Sequence, residues 1–187
     1  MHGVERRGHQ RSGQCHGQYA IGANGTLTAL NPPTVAAGND PEYVKVDPLG
    51  RFAYVVNRGD NSVSQYAIGS DGTLTALSPA TVAVSIPWSI DIGPSGRFAY
   101  IGSVSNSTIS QPAVGADGQL SALSPSAVSA AGSADVKVDP SGRFLYGESP
   151  NGQVSQFSIG SDGTLRALTP TAVSAQTSPA SIAVVRP

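Results

Sequence analysis

One short phrase recurs along this chain at a fixed step. Gly50–Tyr54 reads GRFAY, Gly96–Tyr100 repeats it, and Gly142–Tyr146 reads GRFLY; both steps are 46 residues. A turn marker keeps the same rhythm. Asn24-Gly25, Asp71-Gly72, Asp117-Gly118 and Asp162-Gly163 each stand just ahead of a leucine, at Leu27, Leu74, Leu120 and Leu165. A glutamine opening a short apolar run is the third marker, at Gln18, Gln65, Gln111 and Gln156. Three independent markers with one period define an internal repeat, and a repeat of this length restricts the fold to arrays of one supersecondary unit.

The unit reads as four strands. In the first complete copy these are Tyr43–Asp47, Arg51–Asn57, Ser62–Ile68 and Leu74–Leu77, the last continuing past Pro79 toward Val84. The first alternates apolar and polar residues, and the second is apolar on both faces. Gly72 closes a hairpin before the fourth strand, because glycine adopts positive φ without steric cost. Pro79 marks that strand as an outer edge, since proline donates no ladder hydrogen bond. No window keeps a helical period. Four short antiparallel strands every 46 residues or so give an all-β fold, a β-propeller of four-stranded blades. A β-solenoid is the alternative, but solenoid repeats are usually shorter. Complete units span residues 43–85, 89–131 and 134–176, and a fourth is split between 17–38 and 181–187. Two closures are open: the C-terminal strand pairs with the N-terminal ones in a four-blade ring, or the chain is the C-terminal half of a larger ring, whose open apolar faces a homodimer of eight blades would also bury. Residues 1–16 lie outside the repeat and carry His2, His9 and His16 with Arg6, Arg7 and Arg11. They are either a basic interaction arm or a disordered leader.

Composition narrows function. Eleven Lys+Arg against twelve Asp+Glu leave a formal charge of −1, which gives no attraction for a polyanion, so no nucleic-acid partner is expected. The one cysteine, Cys15, excludes an intramolecular disulfide. No apolar run reaches the ~18 residues of a membrane span. The first fifteen residues lack the apolar core of a secretory signal, which points to the cytoplasm. The low-charge, Ser/Thr/Ala-rich texture would equally suit an exported bacterial protein whose natural N-terminus is missing.

The stretch VDPLGRFAYVVNRGDNSVSQYAIGSDGTLTAL (Val46–Leu77) resembles the repeat of the bacterial lactonase-type seven-bladed propellers. These include 6-phosphogluconolactonase-like proteins and the Tyr-Val-Thr-Asn repeat surface proteins. Tyr54-Val55-Val56-Asn57 differs from that signature by one residue; Tyr100-Ile101-Gly102-Ser103 and Tyr146-Gly147-Glu148-Ser149 depart further. The resemblance covers residues 18–187 and implies a propeller fold, hydrolysis of a sugar lactone, and a ring of about twice this length.

Lactone hydrolysis needs a base or metal to activate water and a cation or dipole for the oxyanion. Residues 17–187 contain no histidine, no metal-ligand spacing and no G-x-S-x-G elbow. No cofactor is expected, with a divalent metal left open. Candidates are therefore residues that break the repeat on the loops of one rim. Glu42, Arg58, Asp60, Trp88 and Glu148 fit that description. Together they would hold a small sugar-like ligand, Trp88 by stacking, Arg58 by its fork of donors and the acids by accepting hydroxyls. The plainer alternatives are a solvated turn for Arg58 and Asp60, a gap-filling role for Trp88, and exposure for Glu148. The recurring Arg51, Arg97 and Arg143, and Asp47 and Asp139, are expected to be structural. Lys45 and Lys137 sit where the middle unit has Asp91 and are placed at the channel mouth or in ion pairs. The expected function is a non-catalytic scaffold or ligand-binding module. The alternative is a sugar-lactone hydrolase, active as an oligomer or within a longer chain.

Overall fold

The computed structural model describes residues 15–131, 133–175 and 181–185. Residues 1–14, with His2, His9 and the leader arginines, lie outside them. The described chain is all β. β1 (Cys15–Ile21) and β2 (Leu27–Ala36) form a two-stranded sheet. β3 (Pro41–Val46), β4 (Phe52–Asn57), β5 (Ser62–Ile68) and β6 (Leu74–Ala83) form the first complete blade. The second is β7 (Ser89–Ile92), β8 (Ala99–Ser103), β9 (Thr108–Val114) and β10 (Leu120–Ser129). The third is β11 (Asp135–Val138), β12 (Phe144–Ser149), β13 (Gln153–Ile159) and β14 (Leu165–Ser174). Each complete blade is an antiparallel meander in chain order. The inner strands β3, β7 and β11 pack on one another, so the blades share a central line rather than stacking end to end. This is the expected propeller of four-stranded blades.

Each turn forms for a local reason. Asp47 accepts the backbone N–H groups of Arg51 and Phe52 at 2.5 and 3.0 Å, and the Arg51 guanidinium lies 3.2 Å from its second oxygen. Asp139 repeats the pattern with Arg143 and Phe144, both at 2.8 Å. Burial pushes the Asp139 carboxyl up, but these bonds and those from Ser141 outweigh it and hold it at about 2. Arg51, Arg97 and Arg143 each lie over the ring of the next residue, Phe52, Phe98 or Phe144, at 5.2–5.4 Å. At the outer hairpin, Asp71 Oδ1 accepts the N–H and hydroxyl of Thr73, with Gly72 at φ 84°. The edge strand runs through Pro79, as expected, and its register against β5 breaks between Ser64 and Tyr66.

That break leaves the Pro79 carbonyl free for a side chain. Gln65 donates its amide N–H to it at 3.1 Å, while its Oε1 accepts the Leu120 N–H of the next blade at 2.7 Å. Gln18 does the same with Pro32 and Leu74, and Gln111 with Pro125 and Leu165. Beside each clamp a tyrosine reaches forward. Tyr54 donates to the Gly118 carbonyl at 2.6 Å and Tyr100 to that of Gly163 at 3.0 Å. Phe52 and Phe98 press on those same glycines so closely that a Cβ there would enter the ring. Apolar residues fill the rest, with Phe52, Val56 and Val63 against Ile90, Ile101 and Leu120 in one interface, and Tyr100 and Ile109 against Leu145, Phe157 and Leu165 in the next.

At the ends, β1 pairs in a sheet with β2 alone among the described residues, and residues 181–185 form no strand. Ile182 N–H instead donates to Asp135 Oδ2 at 3.2 Å. This repeats, 46 residues on, the bond from Val136 N–H to Ser89 Oγ. Residues 181–185 therefore lie beside β11 as β11 lies beside β7. Pairing of Ile182 and Val184 with Tyr19–Ile21, the four-blade closure, is not seen.

The clamp predicts a specific energetic cost. Gln65→Ala leaves the buried Leu120 N–H without an acceptor, so the protein should lose about 1–3 kcal/mol of stability to urea. An unchanged unfolding midpoint would show that the blades are held by apolar packing alone.

Candidate functional site

Four positions one repeat apart, Tyr43, Ser89, Asp135 and Ser181, lie at or near the start of the inner strands or their equivalents, and the three complete units carry three different residues there. All four line one cavity of about 340 Å³ at the channel mouth, with Trp88, Ala134, Lys137 and Ile182. Inner strands place them there because each meander starts at the axis, and a residue near the start of each one faces the same opening. The Lys137 ammonium donates to the Tyr43 hydroxyl at 2.8 Å, from the third blade to the first, and lies 3.0 Å from Asp135. Burial pushes the Lys137 pKa down, but the bonds to Tyr43 and Asp135 more than reverse it, so the net shift is upward. Lys137 is a cation at neutral pH. Lys45 instead pairs with Asp91 at 2.7 Å, and Asp91 also accepts the Val138 N–H.

The five rim residues separate into three groups. Glu42, Arg58 and Trp88 come together: the Arg58 guanidinium is 3.7 Å from Glu42 and lies 4.6 Å above the Trp88 ring. Trp88 is also the one of the five that lines the cavity. Asp60 turns away and accepts both the backbone and side-chain N–H groups of Asn39, at 2.6 and 2.7 Å, tying two loops together. Glu148 is 1% exposed, where the sequence suggested exposure. The reason is that it still belongs to β12, in register with Asp135, and precedes the loop rather than lying in it. Among the described residues neither of its carboxyl oxygens has a hydrogen-bond partner, and nor has the buried Ser133 hydroxyl. Burial raises the Glu148 pKa, and the charge of Asp135 raises it further.

Tyr43, Ser89 and Asp135 were not among the rim candidates. They sit in inner strands, whereas residues that break the repeat were expected on the rim loops. The signal that finds them is a repeat column that changes residue type across the three complete units while its neighbour, Val44/Ile90/Val136/Ile182, stays apolar. The described residues contain no group of three or more His, Cys, Asp or Glu placed to hold a metal ion, and no helix long and apolar enough to cross a membrane.

Comparison with known proteins agrees with this architecture. The profile of the family described as lactonase, 7-bladed beta-propeller, matches residues 8–129. No curated protein matches the sequence. Among solved structures, a protein from Lactobacillus plantarum is 15% identical with a TM-score of 0.72, over 95% of this chain and 62% of that one. The periplasmic gluconolactonase of Pseudomonas aeruginosa is 20% identical with a TM-score of 0.66, over 79% of this chain and 47% of that one. A Bacteroides fragilis protein assigned provisionally as a 6-phosphogluconolactonase is 22% identical with a TM-score of 0.65, over 79% and 49%. The chain thus spans less than two thirds of the length of each. At such identities the likeness to solved structures is one of fold, whereas the sequence profile reaches across more than half of the chain. The protein belongs to the lactonase family of seven-bladed β-propellers.

Proposed function

We propose that this chain is a ligand-binding propeller module that takes a small polyhydroxylated ligand, a sugar lactone or its open acid, in the cavity at the channel mouth. The observation that carries this is the convergence of Tyr43, Ser89, Asp135 and Lys137 with Trp88 on one cavity of about 340 Å³, within the size range of small-molecule sites. Lys137 supplies a fixed positive charge for a carbonyl or carboxylate oxygen, and Asp135 and Ser89 accept hydroxyls. Arg58, laid over Trp88 and tethered to Glu42, holds the indole at the rim. The gluconolactonase likeness supports the ligand class. The cavity lining holds no general base other than Asp135, which Lys137 already engages, so binding is the first reading.

A hydrolase is the second reading, and Glu148 is the observation in its favour. A buried carboxyl with a raised pKa and no partner suits general acid–base work. It lies one ladder position from the cavity wall, and water would have to reach it there.

Trp88 is the sole tryptophan, so intrinsic fluorescence reports directly on the cavity. Titration with D-gluconate should give a saturable change, and Lys137→Met should weaken it about tenfold or more, or ~1.4 kcal/mol. A flat titration would remove the binding reading. Release of acid from D-glucono-δ-lactone above the buffer rate, lost in Glu148→Gln, would replace it with the hydrolase.

The same variant tests the state of Glu148. A folded-state pKa above the unfolded one means that the native chain holds this proton more tightly. Native stability is then greatest below the ordinary carboxylate range and falls as pH rises through the raised value. Glu148→Gln should match the parent protein at low pH and become progressively more stable than it as the pH rises. Equal urea midpoints at pH 4 and 7 would show that the carboxyl is satisfied.

A further inference from the structure

The residue after each clamp glutamine carries an aromatic ring in three of the four units, as Tyr19, Tyr66 and Phe157; after Gln111 it is Pro112. Proline is out of place there. β9 lies between β8 and β10, and proline, with no N–H to give a ladder, is otherwise confined to edges and bulges. The loss shows in the pairing. β4 pairs with β5 without a break from Phe52 to Asn57, whereas the β8–β9 ladder runs only from Ile101 to Ser103, with one separate bridge at Phe98. Positions where a fold breaks its own local rule are where function is to be sought.

Tyr66 shows what the ring does. It is buried in one apolar cluster with Val35, Ala37, Val55 and Leu74, and its hydroxyl donates to the Ala36 carbonyl of the preceding sheet at 2.6 Å. One repeat on, Val82, Val84, Ile101 and Leu120 stand in the same four places. All four line a cavity of about 630 Å³ between the first and second blades, together with Pro112. The acceptor is repeated as well. Ala83 corresponds to Ala36 and lines the same cavity. Because the Val84 N–H bonds to the Asn61 carbonyl, Ala83 forms a non-hydrogen-bonded pair with Ser62, and its own carbonyl points off the edge strand. Ser64, two residues before Tyr66, is buried, but its counterpart Ser110 is only half-buried. The cavity is therefore the place of a tyrosine ring that this chain does not itself fill.

We propose that this cavity binds a small phenolic compound, whose ring takes the place that Tyr66 fills one repeat earlier and whose hydroxyl donates to the Ala83 carbonyl. The volume is within the range of small-molecule sites and exceeds a single ring. The remaining space is polar: Ser85 and Asn106 line it, joined by a hydrogen bond of 2.7 Å, with Thr108 beside them. These groups suit a polar substituent on the far side of the ring. The site shares no lining residue with the cavity at the channel mouth, so it does not rest on the sugar-ligand reading.

The probe is p-cresol, the tyrosine side chain as a free molecule. Calorimetric titration of the full chain should show one site with a Kd of about 1 mM or tighter, the range open to so small a ligand. Toluene, the same ring without the hydroxyl, should bind about fivefold more weakly. Pro112→Tyr and Pro112→Phe supply the rings that the neighbouring units carry, so both should abolish binding, and Pro112→Tyr should raise the urea midpoint of the free protein. Pro112→Ala adds no ring and should still bind, as should Lys137→Met, which alters only the other cavity. Absence of saturable heat with p-cresol would overturn the proposal. So would toluene binding as tightly as p-cresol, or p-cresol binding that persists in a filled variant with the circular dichroism of the parent. If neither filled variant folds, the comparison of p-cresol with toluene on the parent protein still decides.

Discussion

A glutamine amide satisfied at both ends is the contact on which the assembly depends. Its N–H reaches a carbonyl freed by the register break in its own edge strand, and its oxygen reaches an N–H at the start of the next edge strand. The amide therefore sets the distance between neighbouring blades and aligns their outer hairpins. Because Gln65 and Gln111 are fully buried, an unmatched partner would bear the full desolvation cost, so the register between sheets is held more sharply than apolar packing alone would hold it. The tyrosine hydroxyl and the phenylalanine ring then act on the glycine turn that the clamp has positioned. Only glycine leaves room for that ring and accepts the positive φ there.

With the blades spaced in this way, their inner strands bring unlike residues to one opening. The repeat conserves an apolar position next to a variable one. In the second and third blades the apolar position, Ile90 or Val136, is fully buried, and the variable one faces the cavity. A propeller thus separates the residues that build it from those that give it chemistry, within a single short strand. Lys137 shows the consequence: it joins Tyr43 of a blade two places away, a contact spanning 94 residues of sequence.

Much of this was legible beforehand. The period, the strand order, the edge position of the Pro79 strand and the structural role of Asp47 and Asp139 all follow from local chemistry repeated at a fixed step. Glu42, Arg58 and Trp88 were placed on one rim and do come together. Asp60 was placed with them and instead braces Asn39, because a short acidic side chain in a tight turn finds backbone donors before it finds a ligand. Glu148 was read from the Ser-Pro that follows it, and the ladder pairing that buries it cannot be read from neighbours in sequence.

The sequence by itself determined that identical meanders must form and that each must cover the apolar sides of the next, since the same strands, turns and clamp residues recur in every unit. Tertiary structure alone decided which variable residues share a cavity, and that a glutamate is buried with no partner among the described residues. The reason is one of range. Strands, turns and edges are dictated by residues a few positions apart, whereas the cavity and the burial of Glu148 depend on how blades 46 to 94 residues apart meet around the axis.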